Sequence, residues 1–350
     1  MSIQNATEAA APPPSVEPVD GKGLVERLLR VRELSLVAVL AVIVLGTWIY
    51  NDRFLNSQNL RDISLNVAIV ALLAVGQTVV VVSRNIDLSV GSVLGITALA
   101  VGLLFSNNRG FPIPVAILLG ILMGAAFGAI NGALVSLGRV PSLVVTIGTL
   151  YIIRGVDFAW ASGQQVTASE LPDSFLAIGS NSVLGIPVLP LVTLAVVLVA
   201  GYAMRTYRAG RELYAIGSNP DAAVLAGVPV GRRVFGAFVV SGALAGLAGV
   251  MYCARFGTVD AAAGTGQELA VVAAVVVGGV AIFGGSGTVY GAALGALLLS
   301  VIGSALVILK INPFWERAID GALLLGAIAL DRFLLLRVER ALKKRSHRHG

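Results

Sequence analysis

Length, composition and charge place this chain among integral membrane proteins. Its 350 residues are 57% apolar and only 13% charged, about half the charged share of a soluble domain. Several runs reach the ~20 residues that an apolar helix needs to cross a bilayer, and the alternating ten-residue strands of an outer-membrane barrel do not occur. The composition therefore excludes a soluble domain and predicts an all-α, polytopic membrane protein.

The apolar runs predict about ten transmembrane helices. We place them at 34–50, 63–83, 88–105, 113–137, 142–160, 188–204, 233–253, 269–283, 289–309 and 316–333. Two of them, 88–105 and 269–283, are short enough to be re-entrant or tilted.

Both ends of the chain differ in composition from this membrane domain, which we assign to residues 34–335. Residues 1–33 are rich in Pro and Ala and lack periodicity, which predicts a disordered tail. Residues 336–350 form a basic tail that contains both histidines, so we expect these histidines to be solvated and not to bind a metal.

The first polar interruption is the stretch SRNIDLSVGS at residues 83–92. Asp87 and Ser89 can cap the start of the next helix, because their oxygens accept hydrogen bonds from backbone N–H groups that a helix start leaves unpaired. Asn85, Asp87 and Ser89 are also candidates for a translocation path or gate, since broken helices mark substrate paths in transporters. The two interpretations are compatible.

Further polar residues lie inside the predicted spans. Candidates for lining a polar pathway are Asn66, Gln77, Asn131, Thr146 and Thr149. Hydrogen bonds between helices would explain these Asn and Thr side chains equally well.

One pair of charges also lies within a predicted span. Arg154 and Asp157 are three residues apart and can pair on one helix face. Charges in a membrane face the bundle interior or a wet cavity, so this pair is either structural or part of a pathway.

Glycine is abundant, with 41 residues. Several glycines recur at every fourth position: Gly120, Gly124, Gly128 and Gly132, then Gly242 with Gly246, and Gly291 with Gly295. Small residues at this spacing let helices approach closely in lipid. The pattern predicts tight helix packing, and a moving interface is the alternative.

The distribution of Lys and Arg predicts the orientation. Residues 161–187 contain neither, whereas 205–233 contains five arginines. Because basic residues concentrate in cytoplasmic loops, both termini and the 205–233 loop are predicted to be cytoplasmic. The net charge of +6 then reflects this rule and anionic lipid, so no nucleic-acid partner is predicted.

The loop TYRAGRELYAIGSNPDAAVLAGVPVGRR at 206–233 carries a complete set of helix signals. Asn219 suits an N-cap, Pro220 the first helical position and Asp221 the positive helix start. Gly227 suits the position just after the helix. A helix of about seven residues is too short to be stable alone, so we expect it to pack into a groove on another protein.

This loop resembles the cytoplasmic coupling segment of sugar-importing ABC permeases, whose pattern runs G-R-x-x-Y-A-I-G-x-N-x-x-A-A-x-x-A-G. The resemblance assigns ATPase coupling to Arg211, Asn219, Pro220, Asp221, Ala222, Ala223 and Gly227. Further stretches similar to the ribose and xylose permeases are 86–92, 131–155 and 275–296, so that the likeness covers residues 55–335. At Arg84 and Asn85, where ribose permeases usually carry Gly-Gly, the chain is more similar to the rhamnose and autoinducer-2 branches.

The resemblance implies a permease in the bacterial inner membrane that works with an ABC ATPase and a periplasmic sugar-binding protein. A second permease, identical or paralogous, completes the assembly. The implied cargo is a monosaccharide, namely a pentose, a hexose or a deoxyhexose such as rhamnose. Autoinducer-2 or a related small polyol is the alternative.

Missing motifs narrow the function further. No G-x-x-x-x-G-K-[ST] sequence occurs, so ATP must be hydrolysed by a partner. No catalytic set, metal motif or cofactor site is predicted either, which disfavours a membrane-embedded enzyme. A transporter driven by an ion gradient would need buried carboxylates, for which Asp157 and Asp320 are the candidates. The coupling loop favours the ABC interpretation.

The predicted orientation can be tested with single cysteines. In a Cys253→Ala background, we expect an impermeant thiol reagent applied to intact cells to label Glu170→Cys but not Ser218→Cys. Labelling of position 218 together with protection of position 170 would reverse the assignment.

Overall fold

The computed structural model describes residues 32–312 and 314–329. Its α-helices are α1 (Arg32–Tyr50), α2 (Ser57–Val81), α3 (Val90–Asn107), α4 (Ile113–Ser136), α5 (Ser142–Ala161), α6 (Asp173–Ser180), α7 (Val188–Thr206), α8 (Arg208–Ser218), α9 (Pro220–Leu225), α10 (Val230–Phe256), α11 (Gln267–Val277), α12 (Val289–Ile308) and α13 (315–329). Short 3-10 helices at Asp52–Leu55 and Ala168–Glu170 and a hairpin of β1 (Ser182–Val183) with β2 (Ile186–Pro187) complete the described elements.

Each segment predicted as a membrane span contains a helix, as far as the described residues extend. Seven of these helices are long and apolar enough to cross a membrane: α2, α3, α4, α5, α7, α10 and α12. α11 has only 11 residues, which agrees with the short segment predicted at 269–283. The number of crossings and the cytoplasmic placement of both termini stay predictions, and the tails before residue 32 and after 329 lie outside the described residues.

α2 and α10 form the centre of the bundle. Every residue of α2 from Ala71 to Val81 is buried, and the helix contacts α7, α10, α11 and α12. A helix that is apolar on all sides is typical of such a central position. By contrast, α4 and α5 lie at the periphery and expose large apolar side chains such as Leu122 and Tyr151.

The predicted glycine stripe packs α4 against α10. A Cβ atom at Gly124 would lie 2.7 Å from the Cα of Gly246, and one at Gly242 would lie 2.8 Å from the Cα of Gly128. Real side chains do not approach a backbone this closely, so only glycine permits this helix separation. The prediction of tight packing is confirmed.

Two helices begin in the interior of the bundle. The segment before α3 reaches Ser241, which lies eleven residues into α10, about 16 Å along its axis. The segment 257–266 leaves the far end of α10 and leads to the start of α11. The two starts meet, since a Cβ at Gly91 would lie 3.2 Å from the backbone nitrogen of Glu268.

The α4–α10 interface generates a stability prediction. Gly124→Ala should lower the melting temperature of the purified permease, because the added methyl group overpacks the contact at a typical cost of roughly 1–3 kcal/mol. Gly148→Ala is the matched control, since nothing lies within 4 Å of its Cβ position. Both variants replace a helical glycine by alanine, so the gain in helix propensity is the same. Equal melting temperatures for the two variants would contradict the close contact.

Candidate functional site: a coupling surface and a polar cavity

Three parts of the chain meet at one end of the bundle: the turn after α2, the helix pair α8–α9, and the glycine-rich loop before α12. The Arg84 guanidinium donates to the carbonyl oxygens of Phe283 (2.8 Å) and Ser218 (3.1 Å), and the Tyr214 hydroxyl donates to Gly287 O (2.9 Å). Arg84 has φ of 65°, a left-handed conformation that favours glycine. Its two hydrogen bonds hold this conformation and tie the three parts together.

The helix predicted at Asn219 is present with both of its caps. The Asn219 side chain accepts a hydrogen bond from the backbone N–H of Ala222 at 3.0 Å, and Pro220 occupies the first turn. Gly227 follows the helix with φ of 76°, as expected for a terminating glycine. The helix has six residues instead of about seven.

One predicted coupling residue needs correction. Ala223 is only 4% exposed and packs into the core, because it lies on the face of α9 that contacts the bundle. The outward face of α9 consists of Asp221, Ala222, Val224 and Leu225, and we call these four residues the coupling surface. Leu225 is 89% exposed, so the two aliphatic residues that the sequence analysis passed over dominate this surface.

Ion pairs tie α8 to the start of α10. Glu212 pairs with Arg208 (2.6 Å between Oε1 and Nε) and also with Arg233 at the start of α10. Hydrogen bonds from Arg208 and Arg233 lower the pKa of Glu212, so its carboxylate is ionised at neutral pH. The Arg211 side chain is exposed and donates to Thr206 O at 2.5 Å, which links α8 to the end of α7.

The polar stretch 83–92 contains a buried network around Asp87. Its carboxylate accepts hydrogen bonds from the Ser89 N–H (3.0 Å), the Ser89 hydroxyl (2.6 Å) and the Ser241 hydroxyl (3.1 Å). Asn131 in turn donates to Ser89 Oγ at 2.8 Å. Ser89 is the N-cap of α3 but makes no capping bond with its side chain. The expectation that it caps the helix is wrong, because its oxygen accepts from the Asn131 amide instead of a backbone N–H.

Other predicted pathway residues also form hydrogen bonds within the bundle, mostly to backbone groups. Gln77 is fully buried, and its amide faces the backbone N–H and C=O of Asp87 in pairing distance. Thr146 donates to Ile86 O at 3.3 Å, and Thr149 donates to Thr146 O. Asn85 donates to Ser83 O at 2.9 Å, next to this group. These contacts place Gln77, Thr146 and the Asp87 network around one segment of backbone.

Asn66 is separate from this group and lines a polar cavity of about 410 Å³. The cavity lies between α2, α12 and α13, with Gln267 of α11 at one side. Its polar lining consists of Asn59, Asp62, Asn66, Gln267, Ser300, Ser304, Glu316 and Asp320. Arg255 fixes the Asn66 amide through a hydrogen bond of 2.7 Å.

The predicted pair of Arg154 and Asp157 is present at 3.9 Å, with Asp157 fully buried. Arg154 also donates to the carbonyl oxygens of Ala261 (3.1 Å) and Ala263 (2.6 Å). Its main role in the structure is therefore to hold the non-helical segment before α11.

Comparison with known proteins decides the class. The family described as branched-chain amino acid transport system/permease component matches residues 59–328. An autoinducer 2 import system permease protein from Enterobacter sp. (strain 638) is 39% identical over 90% of this chain and 92% of its own length. The corresponding proteins of Klebsiella pneumoniae and Salmonella typhi are 38% and 35% identical, over 90% and 89% of this chain and 92% and 89% of their own lengths. No solved structure matches the chain.

The chain belongs to this family of ABC importer permeases. It is accordingly a transport subunit and not an enzyme, and a multi-pass protein of the bacterial inner membrane. Membership in the family implies an ATPase and a periplasmic binding protein as partners.

The permease contains site residues that the pattern of its sequence did not reveal. Asp62, Glu316 and Asp320 come together in the cavity although two of them lie in α13 and one in α2. The sequence alone predicts Asp320 only as a possible ion-coupling residue. Glu316 and Asp320 are four positions apart, which puts them on one helix face. This spacing was the one sequence signal that could have indicated an acidic surface here.

The different surroundings of Asn66 and Asn131 generate a prediction. Asn131→Ala should lower the melting temperature of the permease, because it removes a buried hydrogen bond and typically costs about 1–3 kcal/mol. Asn66→Ala should lower the melting temperature less and reduce uptake, because the side chain is exposed in the cavity and the hydrogen bond that it loses, from Arg255, is also exposed. The opposite pattern in melting and uptake assays would reverse the two roles.

Proposed function

We propose that this permease imports a small sugar or sugar-like polyol, with autoinducer 2 as the first candidate and monosaccharides such as rhamnose as alternatives. The names of the relatives support autoinducer 2, and the Arg84-Asn85 variant of the polar motif points to the same branch. The family description mentions branched-chain amino acids, and leucine is therefore the natural negative control in transport assays.

The observation that carries the importer mechanism is the coupling surface on α9. This helix is too short to be stable alone, yet it presents Val224 and Leu225 outward. A groove on the ATPase would cover these side chains. Through Ser218, Arg84 and the loop before α12, a displacement of α9 reaches three elements of the bundle at once.

Movement of α9 would then drive alternating access. When ATP draws the two ATPases together, the α8–α9 pair moves with them, and the ion pairs of Glu212 carry this movement to α10. The bundle opens toward the loaded binding protein, and hydrolysis resets it. The Arg211, Asn219 and Gly227 positions shape the loop that transmits the force, and Asp221 and Ala222 contact the ATPase directly.

The assembly that we propose contains two permeases, identical or paralogous, with their apolar faces in lipid or against each other. Exposed apolar side chains on α4, α5 and α7 are available for both roles. The α9 end of each permease faces the cytoplasm, in agreement with the five arginines of residues 205–233.

A substitution on the coupling surface tests the coupling. Leu225→Asp should leave the permease inserted but strongly reduce co-purification of the ATPase and its stimulation by loaded binding protein, because a charge enters an apolar contact. Leu184→Asp is the matched control, since Leu184 is 99% exposed in the turn between β1 and β2. Normal ATPase association and stimulation of the Leu225→Asp permease would show that α9 is not the contact.

The substrate is tested by uptake. Cells that lack their own importers and carry this permease, its ATPase and its binding protein should accumulate labelled autoinducer 2 and, to a lesser extent, rhamnose, but not leucine. Accumulation of leucine alone would replace the sugar assignment with an amino-acid one.

A further inference from the structure

We propose that the polar cavity between α2, α12 and α13 is the substrate vestibule on the side of the binding protein, and that it selects uncharged polyhydroxylated ligands against anions. This inference rests on the importer function proposed above and names the part of the permease that the substrate enters first.

The position of the cavity supports this role. Its lining extends along α2 from Asn59 to Val70, about 16 Å of helix, whereas the coupling surface lies beyond the other end of α2. The cavity therefore opens at the end of the bundle opposite α9 and reaches the middle of the central helix. Its floor includes Gln267, the first residue of α11, which starts inside the bundle.

The polarity of the lining requires an aqueous or protein environment. Asp62 and Asn66 are exposed on a helix that is otherwise apolar enough to span a membrane. Charged and amide side chains at such positions face water-filled cavities or other protein, because lipid would leave them unpaired. The Oε1 atom of Gln267 is buried beside this lining and lacks a hydrogen-bond partner.

The charge of the lining indicates the ligand class. Asp62, Glu316 and Asp320 are carboxylic acids, and no Lys or Arg belongs to the lining. The basic groups beside the lining are Arg61 and Arg317, the sequence neighbours of Asp62 and Glu316, and Arg255, which donates to Asn66 and interacts electrostatically with Asp62. Arg61 donates to Ser180 O, outside the lining. Carboxylates accept strong hydrogen bonds from hydroxyl groups, whereas they repel a phosphate or a free carboxylate.

The size of the cavity fits the same class. A volume of about 410 Å³ lies near the lower end of the range for small-molecule sites, roughly 300–1,000 Å³. A monosaccharide-sized polyol would be accommodated, with its hydroxyls distributed between Asp62 and Asn66 of α2 on one wall and Glu316 and Asp320 of α13 on the other. A phosphorylated sugar would place its charge against the acidic wall.

Thiol labelling of the full-length permease in membrane vesicles at pH 8 tests this proposal. In a Cys253→Ala background, the ratio of the labelling rates with a cationic and an anionic methanethiosulfonate of similar size should be roughly tenfold higher for Asn66→Cys than for an exposed control cysteine. Adding Asp62→Asn and Asp320→Asn should reduce this preference. Gln165→Cys, exposed at the same end of the bundle, supplies the intrinsic ratio of the two reagents. With ATPase and binding protein present, autoinducer 2 or rhamnose should slow the labelling, and glucose 6-phosphate should not.

Several results would overturn the proposal. An unreactive Asn66→Cys would mean that lipid or a second permease fills the cavity. A rate ratio equal to that of Gln165→Cys would show that the cavity has no electrostatic selection. Protection by glucose 6-phosphate, or no protection by either neutral ligand, would reject the polyol site. The importer function has a separate readout: failure of the unsubstituted permease to take up autoinducer 2 or rhamnose rejects that function whatever the labelling shows.

Discussion

The fold depends on one constraint, which is that a backbone leaving its helix inside a membrane finds no water for its N–H and C=O groups. The segment before α3 leaves its helix in this way, and nearby side chains form hydrogen bonds with its backbone groups. The Ser142 hydroxyl oxygen accepts a hydrogen bond from the Ile86 N–H at 3.2 Å, and the Thr146 hydroxyl donates to Ile86 O. Gln77 faces the backbone of Asp87. The polar residues around 83–92 thus compensate for a broken helix.

The segment 257–266 solves the same problem with different residues. Arg154 donates to the carbonyl oxygens of Ala261 and Ala263, and the Glu268 carboxylate accepts from the backbone N–H of Gly266 at 3.2 Å. A charged residue within an apolar helix costs free energy in a membrane unless it has such hydrogen-bond partners. The contacts of Arg154 hold the segment before α11 and allow α11 to begin beside α3. Gln267 at the start of α11 lines the polar cavity, and Arg84 in the segment before α3 contacts Ser218 at the end of α8, next to the coupling surface.

The sequence predicted the helices and the coupling loop well, because both depend on local signals. Apolar runs define the spans, and Asn219, Pro220 and Gly227 define α9 without reference to distant residues. The glycine spacing likewise predicted the contact of α4 with α10. The burial of Ala223 was not predicted, because the orientation of a six-residue helix depends on what it packs against.

The candidate site was less predictable for the same reason. The polarity of a side chain inside a span does not show whether it faces a cavity or forms hydrogen bonds with a nearby backbone. Asn66 and Gln77 share α2, yet Asn66 lines the cavity and Gln77 faces the backbone of Asp87. The acidic wall joins residues more than 250 positions apart in sequence. Only the packing of α13 against α2 and α12 brings them together.

The central claim is that ATP hydrolysis by a partner, transmitted through α9, drives import. The most direct measurement is uptake by proteoliposomes that contain the permease and its ATPase, with loaded binding protein outside and ATP inside. The account predicts uptake that requires internal ATP and persists when ionophores collapse all ion gradients. Uptake that proceeds without ATP and stops on addition of ionophore would contradict it.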